Sequence, residues 1–303
     1  MKNCLVIGGA GFIGSNLVDG LLSSGNSVKV IDDLSTGFVD NINDAAEFIE
    51  ADISEDGVEE TLAPHFEGVD YVFHLAAMAR VQPSIEDPVR YDVVNVGGTL
   101  RMLKLAADAN VEKFVFSSSS SVYGDPEYTP TDEAHPTNPI SPYAANKLIG
   151  EIYCKLFAEV YDLATVSLRY FNVYGERQPL EGAYALVMGI FADQLLKGKP
   201  MTVNGDGEQR RDFTYVQDVV NANILAAQSD DAGFGEVYNV GNGDNKSVND
   251  LANLLGGEKV YGDPVIEPRE TLADNTKIKK VLGWRPTVEL EDWVPLWKKD
   301  IGL

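Results

Sequence analysis

Tyr143 and Lys147 stand four residues apart in Ser141-Pro-Tyr-Ala-Ala-Asn-Lys147, and a serine run, Ser117 to Ser121, lies shortly upstream. On a helix, positions i and i+4 share a face. An ammonium beside a phenol favours the phenolate, which predicts a Tyr143 pKa drawn down toward neutrality. A hydroxyl such as Ser119 would then complete a proton path to an alcohol. A second motif, Gly8-Gly-Ala-Gly11-Phe12-Ile13-Gly14, follows the apolar run Leu5-Val6-Ile7. Glycines there permit a tight turn and a close approach of backbone N–H groups to a pyrophosphate at a helix N-terminus. An alcohol-deprotonating group and a dinucleotide loop on one chain together imply hydride transfer.

These side chains need a scaffold, and the pattern supplies one. β-rich runs at 2–7, 27–31, 47–50, 70–75, 113–117 and 164–169 alternate with helical periodicity at 12–24, 89–109 and 142–160. Regular alternation of this kind predicts βαβ units and a parallel sheet covered on both faces. Ser117–Ser121 then falls at a strand C-terminus, where doubly wound sheets bind ligands. Beyond residue 169 the segments shorten and gain Gly, Pro and Asn. Helices are expected at 184–197 and 216–227, a strand pair at 201–203 and 209–215, a strand at 236–240, and a helix from Ser247 to Leu255. The expected fold is α/β: a Rossmann-type doubly wound parallel sheet with a smaller C-terminal α/β substrate lobe. Residues 1–170 would form the dinucleotide-binding domain and 171–303 mainly the substrate lobe, with chain crossings between them.

Bulk composition narrows the partners. The 303 residues carry 24 Lys+Arg against 47 Asp+Glu, a net charge of −23. A field of that sign repels nucleic acid and anionic membranes. Any phosphate site must therefore be locally basic or built from backbone N–H groups. No stretch approaches membrane-spanning length. The first apolar run enters the glycine loop directly and reads as a strand, not a signal peptide. Cys4 and Cys154 are the two cysteines; a disulfide framework is not expected, and a reducing compartment fits. His65, His74 and His135 are scattered, so no metal site is expected, and His74 reads as the end of a buried strand.

Asp32 ends the second strand, eighteen residues past Gly14. A carboxylate at that place accepts both ribose hydroxyls of NAD and repels the 2′-phosphate of NADP. Further motifs run in order along the chain: Asp32-Asp33-Leu34-Ser35-Thr36-Gly37, Asp52-Ile53, His74-Leu75-Ala76-Ala77, Asn95 in Asn-Val-Gly-Gly-Thr, Ser117 to Gly124, Tyr143-x-x-x-Lys147, Arg169-Tyr170-Phe-Asn-Val-Tyr-Gly175, Gln209-Arg-Arg-Asp-Phe-Thr-Tyr-Val216 and Leu282-Gly-Trp284. With them the chain resembles, over nearly its whole length, the extended short-chain dehydrogenases/reductases of the NAD-dependent sugar-nucleotide epimerase/dehydratase family.

The resemblance implies roles. Gly8, Gly11, Phe12, Ile13, Gly14, Asp33, Ser35, Thr36 and Gly37 would border the cofactor, with Asp32 on its ribose and Asp52-Ile53 beside the adenine. Leu75, Ala76, Ala77, Asn95, Ser117 and Tyr170 would line the rest of its groove. Ser119 and Tyr143 would contact the sugar 4-hydroxyl, and Lys147 the nicotinamide ribose. Ser84 would lie near the sugar, Asn172 and Arg211 on the substrate diphosphate, and Thr202 and Asn204 by the nucleobase. The implied protein is a cytoplasmic homodimer acting on a UDP-sugar.

The chain departs from the family pattern at three places. Asn146 replaces the usual Ser or Thr before the lysine, and Ile7 a common Thr before the glycine loop. Pro264-Val265-Ile266-Glu267 stands where many relatives carry Arg-x-Gly-Asp, leaving Arg269 as the candidate second diphosphate arginine. Dehydratases and decarboxylases of the group place a carboxylate just after the Ser119 position; here Ser120 and Ser121 follow. The leading expectation is a UDP-hexose 4-epimerase. A UDP-glucuronate 4-epimerase and, from a different class, a non-catalytic NAD-binding regulator are the alternatives. Thr271, at a position that gates the sugar pocket in related epimerases, would admit an N-acetyl group.

Overall fold

Alternate residues of β1 (Asn3–Ile7) serve opposite sides of one sheet. Cys4 and Val6 join an apolar cluster with α1 (Phe12–Ser23), while Leu5 and Ile7 join a second cluster across the sheet. That two-residue period, apolar on both faces, is what a strand buried between two helical layers requires. The computed structural model describes residues 1–181, 185–265 and 267–303. Tyr184, where the helix expected at 184–197 would begin, lies outside the described residues, as does Ile266 of the departing segment.

The strands that follow β1 are β2 (Ser27–Asp32), β3 (Glu47–Glu50), β4 (Tyr71–His74), β5 (Lys113–Ser119) and β6 (Thr165–Tyr170). Short β7 (Val173–Tyr174), β8 (Met201–Asn204), β9 (Arg210–Asp212) and β10 (Thr214–Tyr215) come next, then β11 (Phe234–Val240), β12 (Asn245–Ser247) and β13 (Lys259–Gly262). The main sheet has seven parallel strands in the order β11-β6-β5-β4-β1-β2-β3. The chain runs outward from β1 in one direction and from β4 in the other, so β1 and β4 flank the switch point. β11 returns from the second half of the chain to pair with β6.

After α1, the helices of the first half are α2 (Val58–Phe66), α3 (Val81–Glu86), α4 (Pro88–Asp92), α5 (Thr99–Asp108) and α6 (Pro142–Val160). The single helix expected at 89–109 is instead α4 and α5 joined through a π-helical stretch, Val93–Gly98. Later come α7 (Val187–Leu196), α8 (Val216–Gln228), α9 (Val248–Leu255), α10 (Thr276–Val281) and α11 (Leu290–Asp300). α7, α9 and α11 enclose a third apolar cluster with Met201 and Val203. Ser247 caps α9 through a reciprocal capping box with Asp250, the sequence signal for that helix start.

One expected pairing is overturned. The runs at 201–203 and 209–215 do not pair with each other. β8 pairs in parallel with β13, β9 antiparallel with β12, and β10 in parallel with β7. The reason is edge occupancy. On its other side β9 exchanges main-chain bonds with the 269–271 segment, Arg210 N–H to Arg269 C=O at 2.9 Å and Thr271 N–H to Arg210 C=O at 3.1 Å. No free edge is left for β8.

Candidate active site

A cleft of about 1190 Å³ opens where the loops after β1, β4 and β5 meet the segments that follow β6. Doubly wound sheets bind ligands at this place, beyond the strand C-termini at the switch point.

The glycine loop is built for backbone approach. Gly8 has φ 89°, and a Cβ there would lie 2.5 Å from Ala76 N. A Cβ on Gly14 would lie 2.0 Å from the Gly8 carbonyl. These two positions exclude any side chain, and the first explains why the loop is matched to Leu75-Ala76-Ala77. Gly11 differs: a Cβ would meet nothing closer than 3.5 Å within the protein, so its bareness is useful toward the cleft. Gly11 caps α1 without a side chain, and the first turn holds no acid. The uncapped N–H groups and the helix dipole form an anion site. These residues fit a dinucleotide pyrophosphate.

Asp32 ends β2 with its carboxylate tied to Ala10 N–H and Leu34 N–H, each at 2.9 Å. Burial pushes its pKa up, against those two hydrogen bonds. Its remaining lone pairs suit two ribose hydroxyls. Asp33, Ser35 and Thr36 line the same end; Ser35 is folded onto Asp33 at 2.6 Å. Gly37 packs on Ala10 behind them. Asp52 and Ile53 line the next wall, where Arg90 reaches Asp52 at 3.2 Å.

The proton-transfer group comes from β5 and α6. Ser141 caps α6 by accepting from Ala144 N–H at 3.2 Å, and Pro142 occupies the first turn. That cap fixes where the helix starts and so aims Tyr143 and Lys147. Lys147 Nζ donates to the Ser117 carbonyl at 2.7 Å and lies 6.0 Å from the Tyr143 ring centroid. Ser119, at the end of β5, accepts from Ser121 N–H at 3.2 Å and Ser121 Oγ at 2.9 Å. Its own hydroxyl bonds to Tyr143.

The expected lowering of the Tyr143 pKa is not found in the protein alone. Burial raises it, and the Ser119 hydrogen bond only partly offsets that. Burial also draws Lys147 down to about 8. Desolvation outweighs the pairing that the sequence suggests. His74 ends β4 as expected, bonded through Nε2 to Thr99 Oγ1 at 2.8 Å and held neutral by burial, its pKa lowered to about 3.

Not every expected residue faces the cleft. Leu75, Ala76, Ala77, Ser117, Tyr170, Asn172, Thr202, Asn204, Arg211 and Thr271 line it. Asn95 does not: its amide clamps Met78, accepting from the N–H at 2.8 Å and donating to the C=O at 2.9 Å. It positions the wall from behind. Ser84 is fully buried and donates to the Val81 carbonyl at 2.6 Å. Arg269 does not line the cleft either; it pairs with Asp206 at 2.8 Å on the exposed surface. In this arrangement the guanidinium is engaged outside the cleft.

Several side chains went unread in the sequence. Glu267 lines the cleft and takes the Arg211 guanidinium at 2.5 Å. Arg80 and Arg90 line it as well. Glu151 and Arg169 form a buried pair beneath the serines. Glu151 had a legible signal, since it lies one helical turn past Lys147.

A model of the NAD dependent epimerase/dehydratase family matches residues 4–241. A putative UDP-glucose 4-epimerase of Methanocaldococcus jannaschii is 42% identical over 299 residues, covering 96% of this chain and 95% of its own. The crystal structure of UDP-glucose 4-epimerase with UDP-glucose from Thermotoga maritima superposes with a TM-score of 0.92 at 41% identity, covering 99% of each chain. A UDP-N-acetylglucosamine 4-epimerase of Methanobrevibacter ruminantium, in complex with UDP-N-acetylmuramic acid, gives 0.89 at 38% identity over 97% of this chain and 96% of that one. Cleft, sheet order and sequence thus agree, and the chain belongs to the NAD dependent epimerase/dehydratase family.

Proposed function

We propose that the chain is a UDP-hexose 4-epimerase that keeps NAD bound through turnover and interconverts UDP-glucose with UDP-galactose. The observation that carries this reading is the company Ser119 keeps. Among the described residues lining the cleft, the carboxylates are Asp32, Asp33, Asp52 and Glu267. The first three sit at the ends of β2 and β3, and Glu267 is bonded to Arg211. Ser119 and Tyr143 are left with hydroxyl partners, Ser121 among them. That group can move a proton at one alcohol. It lacks the nearby carboxylate that elimination or decarboxylation would use. An intact proton path also disfavours a non-catalytic regulator.

In this mechanism Tyr143 takes the 4-hydroxyl proton, and Ser119 bridges the sugar oxygen and the phenol. Lys147 holds positive charge below the phenol and orients the adjoining ribose. NAD, held by the glycine loop and Asp32, would supply the hydride acceptor and a positive ring that favours the phenolate. Asn172 and Arg211 would grip the nucleotide half while the 4-keto sugar turns, so that C4 takes hydride back on its opposite face as Tyr143 returns the proton to the 4-oxygen. Retaining the intermediate through its remote half is an economical use of binding energy. Asp32 would set the cofactor choice. Asp32→Ala is expected to lower the NAD content of the purified protein and relax its preference over NADP; equal NADP occupancy in the wild type would contradict the assignment.

A panel of UDP-sugars resolved by chromatography tests the activity, and failure to convert UDP-glucose or UDP-galactose would overturn it. The same panel tests breadth. Thr271 is a small side chain at the cleft wall, its hydroxyl engaged among the described residues only by long bonds from Asn172 Nδ2 and Asp212 N–H at 3.4 Å. UDP-GlcNAc and UDP-GalNAc should therefore also be interconverted. Thr271→Tyr should suppress the N-acetyl pair selectively, since a packed wall yields to added volume only at a cost of about 1–3 kcal/mol. Wild-type protein that leaves UDP-GlcNAc untouched would refute the gate.

The reading includes a cytoplasmic homodimer in galactose metabolism. Ile152, Leu156 and Val160 stand exposed in one row of α6, and Val89 and Val93 stand exposed on the α4 and π-helical elements that pack against α6. An apolar stripe across neighbouring helices suits a second copy. Buried free thiols at Cys4 and Cys154 suit a reducing compartment. Light scattering should give twice the chain mass, and Leu156→Glu with Ile152→Glu should halve it; a monomeric wild type would exclude the dimer.

A further inference from the structure

The described residues that line the cleft include four cations, Arg80, Arg90, Lys147 and Arg211. Arg90 is paired with Asp52 and Arg211 with Glu267. Lys147 serves the proton-transfer group. Arg80 forms no ion pair among the described residues; its Nη1 donates to the main-chain carbonyl of Ala185.

The backbone under Arg80 is imposed from both sides. Asn95 clamps Met78, and the Tyr91 hydroxyl donates to the Ala79 carbonyl at 2.6 Å. Arg80 itself stands at φ 90°, a conformation in which glycine is the unstrained choice. The fold accepts strain to present a long cationic side chain at that point, and such strain clusters at ligand sites. The carbonyl Arg80 touches lies next to Leu186, which caps α7. That cap has no side-chain acceptor, and the first turn of α7 has no acid. Guanidinium and helix N-terminus therefore put two sources of positive potential on one part of the cleft. The arginine expected to complete the diphosphate site, Arg269, is bound elsewhere to Asp206.

We propose that Arg80 reads an anionic oxygen at the sugar end of the bound nucleotide sugar, supplied by the β-phosphate or by a carboxylate on the hexose. A planar guanidinium without an ion pair among the described residues, with one nitrogen on the Ala185 carbonyl, keeps donors suited to phosphate and carboxylate oxygens alike. The inference rests on the nucleotide-sugar reading above and adds the residue that offsets the substrate's charge in an acidic chain.

Binding to the NAD-loaded protein by calorimetry tests it, with UDP, UDP-glucose, UDP-glucuronate and uridine as probes. Arg80→Gln removes the charge at nearly constant length, and Arg80→Gly also relieves the backbone. A weakening of UDP and UDP-glucose by about tenfold or more, with uridine unchanged, identifies the phosphate. Weakening confined to UDP-glucuronate identifies the carboxylate. Unchanged affinity for all the UDP compounds in both variants overturns the proposal. So does a loss in Arg80→Gln that Arg80→Gly does not share, because backbone geometry would then be responsible. Thermal melts and NAD content report whether each variant is folded. Should the wild type bind UDP-glucose yet convert no nucleotide sugar, the proposed activity fails while the affinity comparison still decides the role of Arg80.

Discussion

Tyr143→Phe should lower turnover by about a hundredfold or more, the usual contribution of a positioned acid/base group. NAD content and thermal stability should stay near those of the wild type. The variant loses one oxygen. The ring remains against Lys147, and the helix cap at Ser141 is untouched. Ser119 then keeps its bonds from Ser121 but has no phenol to receive a proton. Burial raises the Tyr143 pKa in the protein alone, and positive charge brought into the cleft would favour the phenolate. The loss should therefore fall on kcat, with little change in KM. Turnover of Tyr143→Phe close to the wild type, measured on protein with full NAD content, would remove Tyr143 from the mechanism.

The sheet was legible because its signal is local and repeated. Apolar runs of strand length alternate with helical periodicity, and the glycine loop and serine run fall at strand ends where the chemistry sits. Pairing in the second lobe was not legible. β9 spends one edge on β12 and the other on the 269–271 segment, and neither partner is near it in sequence. Site residues divide along the same line. Gly8, Asp32, Ser119, Tyr143 and Lys147 lie within motifs whose flanks define their surroundings. Asn95, Ser84 and Arg269 have side chains whose direction depends on which carbonyl, amide or carboxylate the tertiary fold places nearby. Arg269 finds Asp206 on the surface, and no sequence spacing signals that choice. The lowered tyrosine pKa failed for a related reason: spacing reports that two groups are neighbours, while burial decides which protonation state each prefers.

Glu151→Ala should destabilise the protein by about 3–5 kcal/mol, the usual consequence of leaving one buried charge without its partner. Against a total stability of roughly 5–15 kcal/mol, that is a large fraction. Glu151 and Arg169 are both nearly inaccessible, at 6% and 5% side-chain exposure. Two bonds join them, Nε to Oε1 at 2.8 Å and Nη2 to Oε2 at 2.6 Å. Ser118 adds a third contact to Glu151 at 2.5 Å, and the guanidinium lies 4.7 Å over the Tyr123 ring. The group ties α6 to β5 and β6 one residue from Ser119 and one turn from Lys147. Removing the carboxylate strands a cation whose Nη1 already lacks a partner among the described residues. A double replacement, Glu151→Leu with Arg169→Met, removes both charges and should recover most of the lost stability, since apolar pairs of similar volume often match buried ion pairs. It should not recover full activity, because Ser118 would lose the acceptor that holds its end of the serine run. Denaturant midpoints for the single and double variants separate these effects. A single variant as stable as the wild type would show that the pair carries no structural role, and a double variant of full activity would free the serine run from Glu151.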